Sequence, residues 1–395
     1  MSFLGYPRPD GTVGTRNYVV VLPAGLVSSK ICEFVNGVRT MVTADSGNGR
    51  SKRDRETIAR ILIGLGKNPN VAAVIVHELA WGTDYPELKS EFLAEQIAET
   101  GKPVEYISSR QHPTTFQVME RGARVARQMV HDASSIRREL VDDKFLTIGV
   151  KCGGSDATSG IAGNPVMGYL FDHVVNAGGR AMFGENTEII GAEHILARRA
   201  ANEKIAKQII NVALTTEERG KRIGEPIRDV NPVPANIAAG ISTLEEKSLG
   251  AIVKGGTCPI KGVLRYGEEP PHRGLFFVDN WQDPNSIFPG YVAAGANVVL
   301  LQLGFGGALK HTILPPTPTV VVPDVATTAN HKTYAACGES IDFYSGTVIE
   351  GSESIGQAGE RLCELVRQVA SGTVTRSETL KFQDVSQCFL MDAGF

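Results

Sequence analysis

Apolar runs and polar turns alternate along the first 130 residues of the chain. Four short runs are rich in β-branched residues and predict strands: YVVVLPAG (18–25), VRTMVTADSG (38–47), VAAVIVHELA (71–80) and PVEYIS (103–108). Four stretches have apolar residues at helical spacing: KICEFVNGV (30–38), 53–65, FLAEQIAETG (92–101) and 112–130. Because strands that alternate with helices indicate a parallel sheet, we predict a Rossmann-like α/β domain over residues 1–135.

The alternation resumes after HDASSIRRELVDDK (131–144), a charged segment that is either a domain boundary or a surface helix between domains. Further strands are predicted at FLTIGV (145–150), from residue 180, and at LFFVDN (275–280), ANVVLLQLGFGG (296–307) and TPTVVVPDVA (317–326). Helices are predicted at 166–179, in a long stretch that ends near Glu218, and at 352–370, with a long loop over 219–240. This half is predicted to form a larger C-terminal α/β domain, residues 140–395.

The composition and charge of the chain exclude several classes of function. The 395 residues carry a formal net charge of −3, which gives no electrostatic reason to bind nucleic acid. No apolar run is long enough to span a bilayer and no secretion signal is visible, so we expect a cytoplasmic protein that does not enter a membrane. The six cysteines are widely spaced, as expected of reduced thiols rather than of a disulfide framework or a zinc knuckle.

The stretch KCGGSDATSGIAGNP (151–165) follows a predicted strand and consists almost entirely of small residues. Its glycines allow a ligand to approach backbone N–H groups, and a following helix adds its positive end. Lys151 is suited to bind a carboxylate or act as a base, and Asp156 to bind a metal or take a proton. A tight turn without a ligand is the alternative. The nucleotide-binding pattern GxxxxGK[ST] is absent.

Two further polar stretches are candidates for chemistry. In GENTEIIGAEHIL (184–196), Glu185 and Glu188 are suited to hold a divalent cation, or they simply complement a helix dipole. In STLEEKSLGAIVKGG (242–256), Ser242 and Glu245 predict a capping box, and Lys254 precedes two glycines. Patterns for serine hydrolases, zinc proteases and nicotinamide cofactors are all absent.

Several stretches, in this order, resemble the altronate/galactarate dehydratase family, which includes the large subunit of sulfolactate sulfo-lyase. The resemblance covers essentially the whole chain. It rests on GYPRPDGTVGTRNYVVVLP (5–23), NPNVAAVIV (68–76), KCGGSDATSGIAGNPVMG (151–168), ENTEIIGAEHILARRA (185–200), the segment 236–256 with ISTLEEKSLGAIVKGG, AAGANVV (293–299), GESIDFYSGTVIEG (338–351) and VASGTVTRSE (369–378).

The resemblance implies a lyase that removes water from a small sugar acid and releases a 2-keto-3-deoxy acid. Sulfonate members of the family expel sulfite instead, and a noncatalytic relative that only binds a ligand is a third reading. A base takes the proton next to a carboxylate, and an electrophile stabilises the resulting aci-carboxylate. The resemblance also implies a divalent metal, often Fe2+, and a small subunit of the SAF type. We also expect a homo-oligomer.

The residues that we expect to form the site lie in the stretches quoted above. The expected catalytic residues are Lys151, Asp156 and Lys254, and the expected metal ligands are Glu185 and Glu188, with Asp156 as a further candidate. The expected substrate-binding residues are Arg16, Asn17, Cys152, Gly153, Gly154, Ser155, Ser159, Asn164, Gly255 and Gly256. Arg16 and Asn17, in GTRN, are expected to anchor either a substrate or a loop near the sheet.

The chain departs from the family pattern at three strand exits in the first domain. Relatives usually carry cysteines where this chain has GLVSSK (25–30), ADSGNGR (44–50) and HELAWGTD (77–84). If those thiols bind metal or substrate, this protein would use His77, Glu78, Asp84 and Asp45 instead, or nothing. Such harder ligands favour a different cation or none. Trp81 at the third exit suggests a reshaped pocket.

Overall fold

The computed structural model describes residues 1–79, 82–108, 110–305, 320–380 and 386–391, and it confirms the predicted α/β class. The strands are β1 (Ser2–Pro7), β2 (Val13–Gly14), β3 (Tyr18–Leu22), β4 (Val38–Arg39), β5 (Val42–Thr43), β6 (Val71–His77), β7 (Val104–Ile107), β8 (Glu139–Asp142), β9 (Thr147–Gly153), β10 (Arg180–Phe183), β11 (Ile260–Arg265), β12 (Gly274–Asp279), β13 (Val298–Leu303), β14 (Asp324–Thr328), β15 (Phe343–Tyr344) and β16 (Ser386–Gln387).

Helices lie between most of these strands. They are α1 (Leu26–Phe34), α2 (Lys52–Lys67), α3 (Ser90–Ala98), α4 (Thr115–Ala133), α5 (Asn164–Asn176), α6 (Glu193–Ala197), α7 (Glu203–Arg222), α8 (Ile227–Val230), α9 (Pro234–Ala238), α10 (Leu244–Ile252), α11 (Pro284–Ala293), α12 (His331–Cys337) and α13 (Ile355–Ala370). Within the described ranges, no helix has the length and apolarity that crossing a bilayer requires.

The first part of the chain forms a four-stranded parallel sheet in the order β4-β3-β6-β7. Side chains alternate between its two faces, because successive residues of a strand point in opposite directions. Val19 and Val21 pack in the core on one face together with Ile31 of α1, whereas Val20 packs with Ile58 of α2 on the other. Burial on both faces explains why β3 and β6 are continuously apolar.

A seven-stranded parallel sheet, in the order β11-β12-β10-β9-β13-β14-β15, forms the larger part of the protein. β9 lies at its centre between β10 and β13, with Thr147 level with Arg180 and Ile148 level with Val298. Gly149 of β9 faces the ring of Tyr291, and a Cβ placed there would lie 2.7 Å from that ring. The glycine therefore lets α11 pack closely over the middle of the sheet.

Several predicted element boundaries were wrong. The first helix begins at Leu26 rather than near Lys30, because the Ser28 hydroxyl and the Gly25 backbone bond each other at its start. The long helix predicted to end near Glu218 is interrupted between α6 and α7, and the predicted loop 219–240 contains α8 and α9. The predicted N-cap is displaced by one residue, since Thr243 rather than Ser242 caps α10, at the Glu246 N–H.

Two other differences arise from contacts that are distant in sequence. β8 lies in the segment predicted as a domain boundary or linking helix, where it pairs antiparallel with β1. β14 begins at Asp324, near the end of the strand predicted at 317–326. Residues 306–307 of the strand predicted at 296–307 and residues 317–319 of the strand predicted at 317–326 lie outside the described residues, as does Trp81.

Candidate active site

Four charged residues meet at the carboxyl edge of the large sheet. Lys151 lies near the end of β9, and Glu185 and Glu188 follow the end of the neighbouring strand β10. Lys254 lies in the short helical turn after α10. Because β9 and β10 are parallel neighbours, their exits lie side by side, as expected for binding sites in open α/β sheets.

Glu185 is the centre of this group and is completely buried. Its Oε1 accepts a hydrogen bond from Lys151 Nζ at 3.3 Å, and its Oε2 accepts bonds from Lys254 Nζ and from the Cys152 N–H. Its backbone has a φ of 75°, in the left-handed region. The Glu185 N–H donates to Asn280 Oδ1 at 2.8 Å, which holds this unusual turn against the end of β12.

Glu188 shares Lys254 with Glu185 and also faces a further lysine. Its Oε2 accepts a hydrogen bond from Lys254 Nζ at 3.1 Å, and its Oε1 lies 3.7 Å from Lys247 Nζ. Burial favours the neutral acid, but the three nearby ammonium groups of Lys254, Lys247 and Lys151 outweigh it and lower the pKa of Glu188. Glu188 is therefore a carboxylate at neutral pH.

Lys254 is a permanent cation in this arrangement. Burial disfavours its ammonium form, but the carboxylates of Glu185 and Glu188 reverse this effect and raise its pKa above the ordinary value. Cys152 is neutral instead of charged, because burial and then the charge of Glu188 raise the pKa of its thiol. Lys254 thus supplies fixed positive charge, whereas Cys152 is a neutral thiol rather than a nucleophilic thiolate.

The loop after β9 surrounds a cavity of about 200 Å3 beside this group. Ser155, Ser159 and Asn164 line the cavity, together with Lys247 from α10. Asn164 is 1% exposed, and its Oδ1 has no hydrogen-bond partner within the described part of the chain. A buried acceptor of this kind is suited to a ligand that brings a hydroxyl group.

Asp156 also lines the cavity, but its contacts hold the loop together. Its Oδ1 accepts bonds from the Thr158 hydroxyl at 2.6 Å and the Ser159 N–H at 3.1 Å. Its Oδ2 accepts a bond from Asn330 Nδ2 at 2.7 Å. Both oxygens are therefore engaged, so a catalytic or metal-binding role for Asp156 requires a rearrangement of the loop.

The predicted glycines differ in what they do. Gly154 has a φ of 57°, and a Cβ on it would lie 2.8 Å from the ring of Phe305, so the turn after β9 requires glycine. Gly255 packs against the ring of Phe183, and Gly256 against Asp172. Gly153 is half-buried at the end of β9, and a Cβ placed on it would lie 3.7 Å from Lys151 Nζ. Close packing alone thus accounts for Gly255 and Gly256.

Arg16 and Asn17 are not brought to this group of residues. They precede β3 near the amino edge of the large sheet, where the Thr15 hydroxyl bonds the Asn297 carbonyl next to β13. Arg16 donates to both carboxylate oxygens of Glu378 at 2.6 and 2.7 Å, and Asn17 donates to the Ala133 carbonyl. These contacts agree with the loop-anchoring alternative.

A larger cavity, of about 570 Å3, lies at that same amino edge, next to Thr147 and Arg180 at the start of β9 and β10. Arg180 pairs there with Glu269 at 3.0 Å. Lys67 pairs with Glu99, which lies outside the lining of the cavity. The strands separate this cavity from the exits of β9 and β10. We therefore place the candidate active site at the smaller cavity, which Lys247 lines and which adjoins the buried lysines and glutamates through the 3.7 Å contact between Lys247 and Glu188.

Lys247 was missed by the sequence analysis, as were Asn231 and Asn236, whose Oδ1 atoms accept bonds from its Nζ at 2.9 and 3.3 Å. One signal could have found Lys247. It lies seven residues before Lys254 in the same motif, and that spacing corresponds to two helical turns on one face. The two asparagines lie in the segment predicted as a loop, where no periodicity indicates their direction.

The predicted metal ligands do not fit a divalent cation in this arrangement. The oxygens of Glu185 and Glu188 face the ammonium groups of Lys151, Lys247 and Lys254, which a metal would have to displace. In the first domain, both ring nitrogens of His77 contact main-chain carbonyls. Across the described residues, no three His, Cys, Asp or Glu side chains converge as a metal site.

Two family models match nearly the whole chain. Residues 5–134 match the second domain of D-galactarate dehydratase/altronate hydrolase, and residues 144–391 match the C-terminal domain of D-galactarate/altronate dehydratase.

Individual relatives agree with these matches. The chain is 33% identical to (2R)-sulfolactate sulfo-lyase subunit beta of Chromohalobacter salexigens, over 96% of this chain and 95% of that protein. It is 30% identical to altronate dehydratase of Bacillus subtilis, over 98% of this chain and 77% of that protein. It is 28% identical to galactarate dehydratase (L-threo-forming) of Escherichia coli, over 94% and 73%.

Proposed function

This chain belongs to the D-galactarate/altronate dehydratase family and is a lyase, and from that premise we propose that it removes water from a small sugar acid. The product is a 2-keto-3-deoxy acid. The observation that carries the proposal is the buried array of Lys151, Glu185, Glu188, Lys247 and Lys254 beside a small polar cavity. Such an array supplies fixed positive charge where an enolate develops.

Lys151 is the proposed base. Lys254 keeps its proton because two carboxylates hold it, so it is poorly suited to accept another group's proton. Lys151 bonds one oxygen of Glu185 and the carbonyl of Cys152, and its side chain is 7% exposed against 1% for Lys254. Of the two predicted lysines, Lys151 is therefore the more exposed to solvent and the less strongly bound by carboxylates.

The elimination follows from these roles. Lys151 reacts as the neutral amine, after its ammonium group has lost a proton to solvent. It takes the proton from the carbon next to the substrate carboxylate, and the electron pair moves into the carboxylate, which gains a second negative charge. The ammonium group of Lys254 stabilises that charge through the array. The electron pair then returns to form a double bond as hydroxide leaves the next carbon and is protonated to water by the ammonium group newly formed on Lys151, which becomes a neutral amine again. The resulting enol tautomerises to the keto acid.

A C–S lyase that releases sulfite is the second candidate. The similarity to the sulfolactate sulfo-lyase subunit favours it, because it covers 95% of that protein. The chemistry would be the same up to the leaving group, which would be sulfite rather than hydroxide. That relative is named a subunit, and we accordingly propose that this chain also works with a small partner subunit.

An assay of keto-acid and sulfite release tests both candidates. Purified protein would be incubated with altronate, galactarate and sulfolactate, with and without ferrous iron, and each product measured separately. We expect keto acid from a sugar acid. Sulfite from sulfolactate would favour the second candidate, and binding without turnover of any acid would favour a noncatalytic relative.

The role of Lys151 is tested by replacing it with alanine. We expect Lys151→Ala to lower kcat by about 10²- to 10⁴-fold, because general-base catalysis contributes a factor of this size. The matched control is Lys52→Ala, which removes a lysine that is 79% exposed and should leave kcat unchanged. Full turnover in Lys151→Ala would exclude this lysine as the base.

A further inference from the structure

The turn that carries Glu185 is held by the residues that end and follow β12, and we call residues 279–282 the brace. The Asn186 N–H donates to the Asn280 carbonyl at 3.2 Å, and the Asn280 N–H donates to Asn186 Oδ1 at 3.1 Å. Two further side-chain bonds join the same segments, from Asn186 Nδ2 to Asp279 Oδ1 and from the Thr187 hydroxyl to Gln282 Oε1. With the bond from the Glu185 N–H to Asn280 Oδ1, these contacts attach the turn firmly to the brace.

The turn needs this support because its conformation is strained. Glu185 has a φ of 75°, in a region that residues other than glycine rarely adopt. The brace also approaches closely, since a Cβ on Gly184 would collide with Asn280 Oδ1. A residue keeps a sparsely populated conformation only while its surroundings enforce it. The position of the Glu185 carboxylate, which binds Lys151 and Lys254, therefore depends on the brace.

The brace is irregular, and an aromatic side chain from the carboxyl-terminal part of the chain packs on it. Asn280, Trp281 and Gln282 belong to no helix or strand. The ring of Phe389 stacks on the ring of the half-buried Trp281, with centroids 6.0 Å apart and an interplanar angle of 13°. Phe389 also meets the ring of Tyr266 edge-on, at 6.0 Å and 81°. Because Tyr266 belongs to the buried core, Phe389 connects the brace to a fixed part of the protein.

The segment that carries Phe389 is attached to the first part of the chain on both sides of this residue. Before it, β16 pairs with β5 through Ser386 and Val42. After it, the Met391 N–H donates to Asp54 Oδ1 of α2 at 2.9 Å. The ring of Phe389 is therefore anchored along the chain on either side while it packs on the brace in the other half of the protein.

We propose that Phe389 is a positioning residue for the candidate active site. Its ring holds Trp281, the brace then holds the turn, and the turn places the Glu185 carboxylate against Lys151 and Lys254. The alternative is a packing contact that contributes to stability and leaves the rate of the folded protein unchanged. This inference rests on the proposed function, since it names a residue on which the rate at that site depends.

Replacement of Phe389 with alanine in the full-length protein, assayed well below its melting temperature, tests the inference. The substrate is whichever of altronate, galactarate and sulfolactate the wild type turns over fastest. We expect kcat to fall by about 10- to 100-fold and KM to change by less than about threefold, because a small displacement of a catalytic group lowers the rate this much. Phe389→Tyr keeps the ring and should retain at least about a third of the wild-type kcat. Gln387→Ala, at an exposed side chain of the same segment, is the matched control and should leave kcat unchanged.

A double-mutant cycle separates positioning from general packing. If Phe389 acts through the brace, its loss should matter little once Asn280→Ala has already released the Glu185 N–H. We therefore expect Phe389→Ala to lower kcat by less than about threefold in the Asn280→Ala background. Equal fold losses in the two backgrounds, or an unchanged kcat in folded Phe389→Ala, would overturn the proposal. If Phe389→Ala does not fold, Phe389→Leu, which keeps apolar bulk without the flat ring, replaces it in the cycle.

The same cycle in urea unfolding keeps the test independent of turnover. Side chains that share no partner usually have additive effects on the free energy of unfolding, whereas coupled ones do not. We expect Phe389→Ala and Asn280→Ala together to lower the folding equilibrium constant at least about threefold less than the product of their single effects. Such coupling without turnover of any acid would support the positioning role and contradict the lyase proposal. Turnover with additive effects on kcat and on unfolding would do the reverse.

Discussion

The two buried glutamates stabilise the protein while their lysine partners are present and destabilise it when a partner is removed. Glu185 and Glu188 sit among three lysines with almost no exposure to solvent. Transfer of these charges from water is costly, and their mutual attraction with hydrogen bonds offsets the cost only while the set is complete. An array of this kind is thus better explained by function than by stability.

Replacing Glu188 with glutamine should destabilise the protein by about 3–5 kcal/mol at pH 7, because one carboxylate is removed from among buried ammonium groups. The pKa of Glu188 is lowered in the folded state, so its stabilisation is present above the ordinary value of 4.5 and is lost as the pH falls through the folded value. The difference in unfolding free energy between wild type and variant should therefore be constant from pH 7 to about 5 and shrink below 4.5.

Urea unfolding at a series of pH values measures this difference. Glu120→Gln is the control, because the Glu120 side chain is 63% exposed in its ion pair with Arg124 and contributes less than about 1 kcal/mol. A gap between wild type and Glu188→Gln that widens on acidification would contradict the assigned charge of Glu188.

At the scale of elements, one glycine sets the distance between the two halves of the protein. Gly64 lies inside α2, and a Cβ on it would collide with the carbonyl oxygen of Ala293 at the end of α11. The neighbour is main chain, so it cannot move as a flexible side chain would. The close contact of α2 with α11 therefore depends on the missing side chain.

Gly64→Ala should lower the free energy of unfolding by about 1–3 kcal/mol despite the better helix propensity of alanine, because overpacking forces the helices apart. The control is Gly356→Ala in α13, where a Cβ would lie 3.9 Å from Ser354 and Tyr169 and should fit without strain. Thermal or urea unfolding of both variants gives the comparison. Equal stability of the two would contradict the packing argument.

Sequence patterns predicted elements well where one physical signal dominates. The runs at β3, β6 and β10 are short, apolar and bounded by turns, and each became a strand of a parallel sheet. α2 was predicted nearly to its ends because its apolar residues repeat at helical spacing. β8 could not be predicted in this way, since its pairing with β1 links residues that are more than a hundred positions apart.

The site was only partly accessible to sequence reasoning, and the reason is geometric. Lys151, Glu185, Glu188 and Lys254 were each singled out, and the structure brings them together. What no spacing could indicate is that Lys254 bonds both glutamates, since that depends on how the turn after α10 packs against the exit of β10. Arg16 was a candidate substrate-binding residue, but its guanidinium group binds Glu378 and anchors a loop. Sequence spacing could not indicate this contact, because Glu378 lies 362 residues away.

At the scale of the whole molecule, metal analysis can test whether a divalent metal is bound and whether Glu185 and Glu188 hold it. Because lysines face the oxygens of Glu185 and Glu188, any divalent metal that copurifies with the protein should be held elsewhere. Metal analysis of Glu188→Gln should then give the same metal content per chain as the wild type. A loss of stoichiometric metal in Glu188→Gln would show that the glutamates are ligands and that the array rearranges.

The two ends of the described chain are both tied to distant parts of the fold. β16 pairs with β5 through Ser386 and Val42, and Glu378 holds Arg16 just before β3. During synthesis on the ribosome, the first sheet emerges long before residues 378 and 386 exist. Until the last part of the chain has been translated, β5 therefore lacks its partner β16 and Arg16 lacks its partner Glu378. Codon choice and chaperone contacts over that interval would bear on the yield of folded protein.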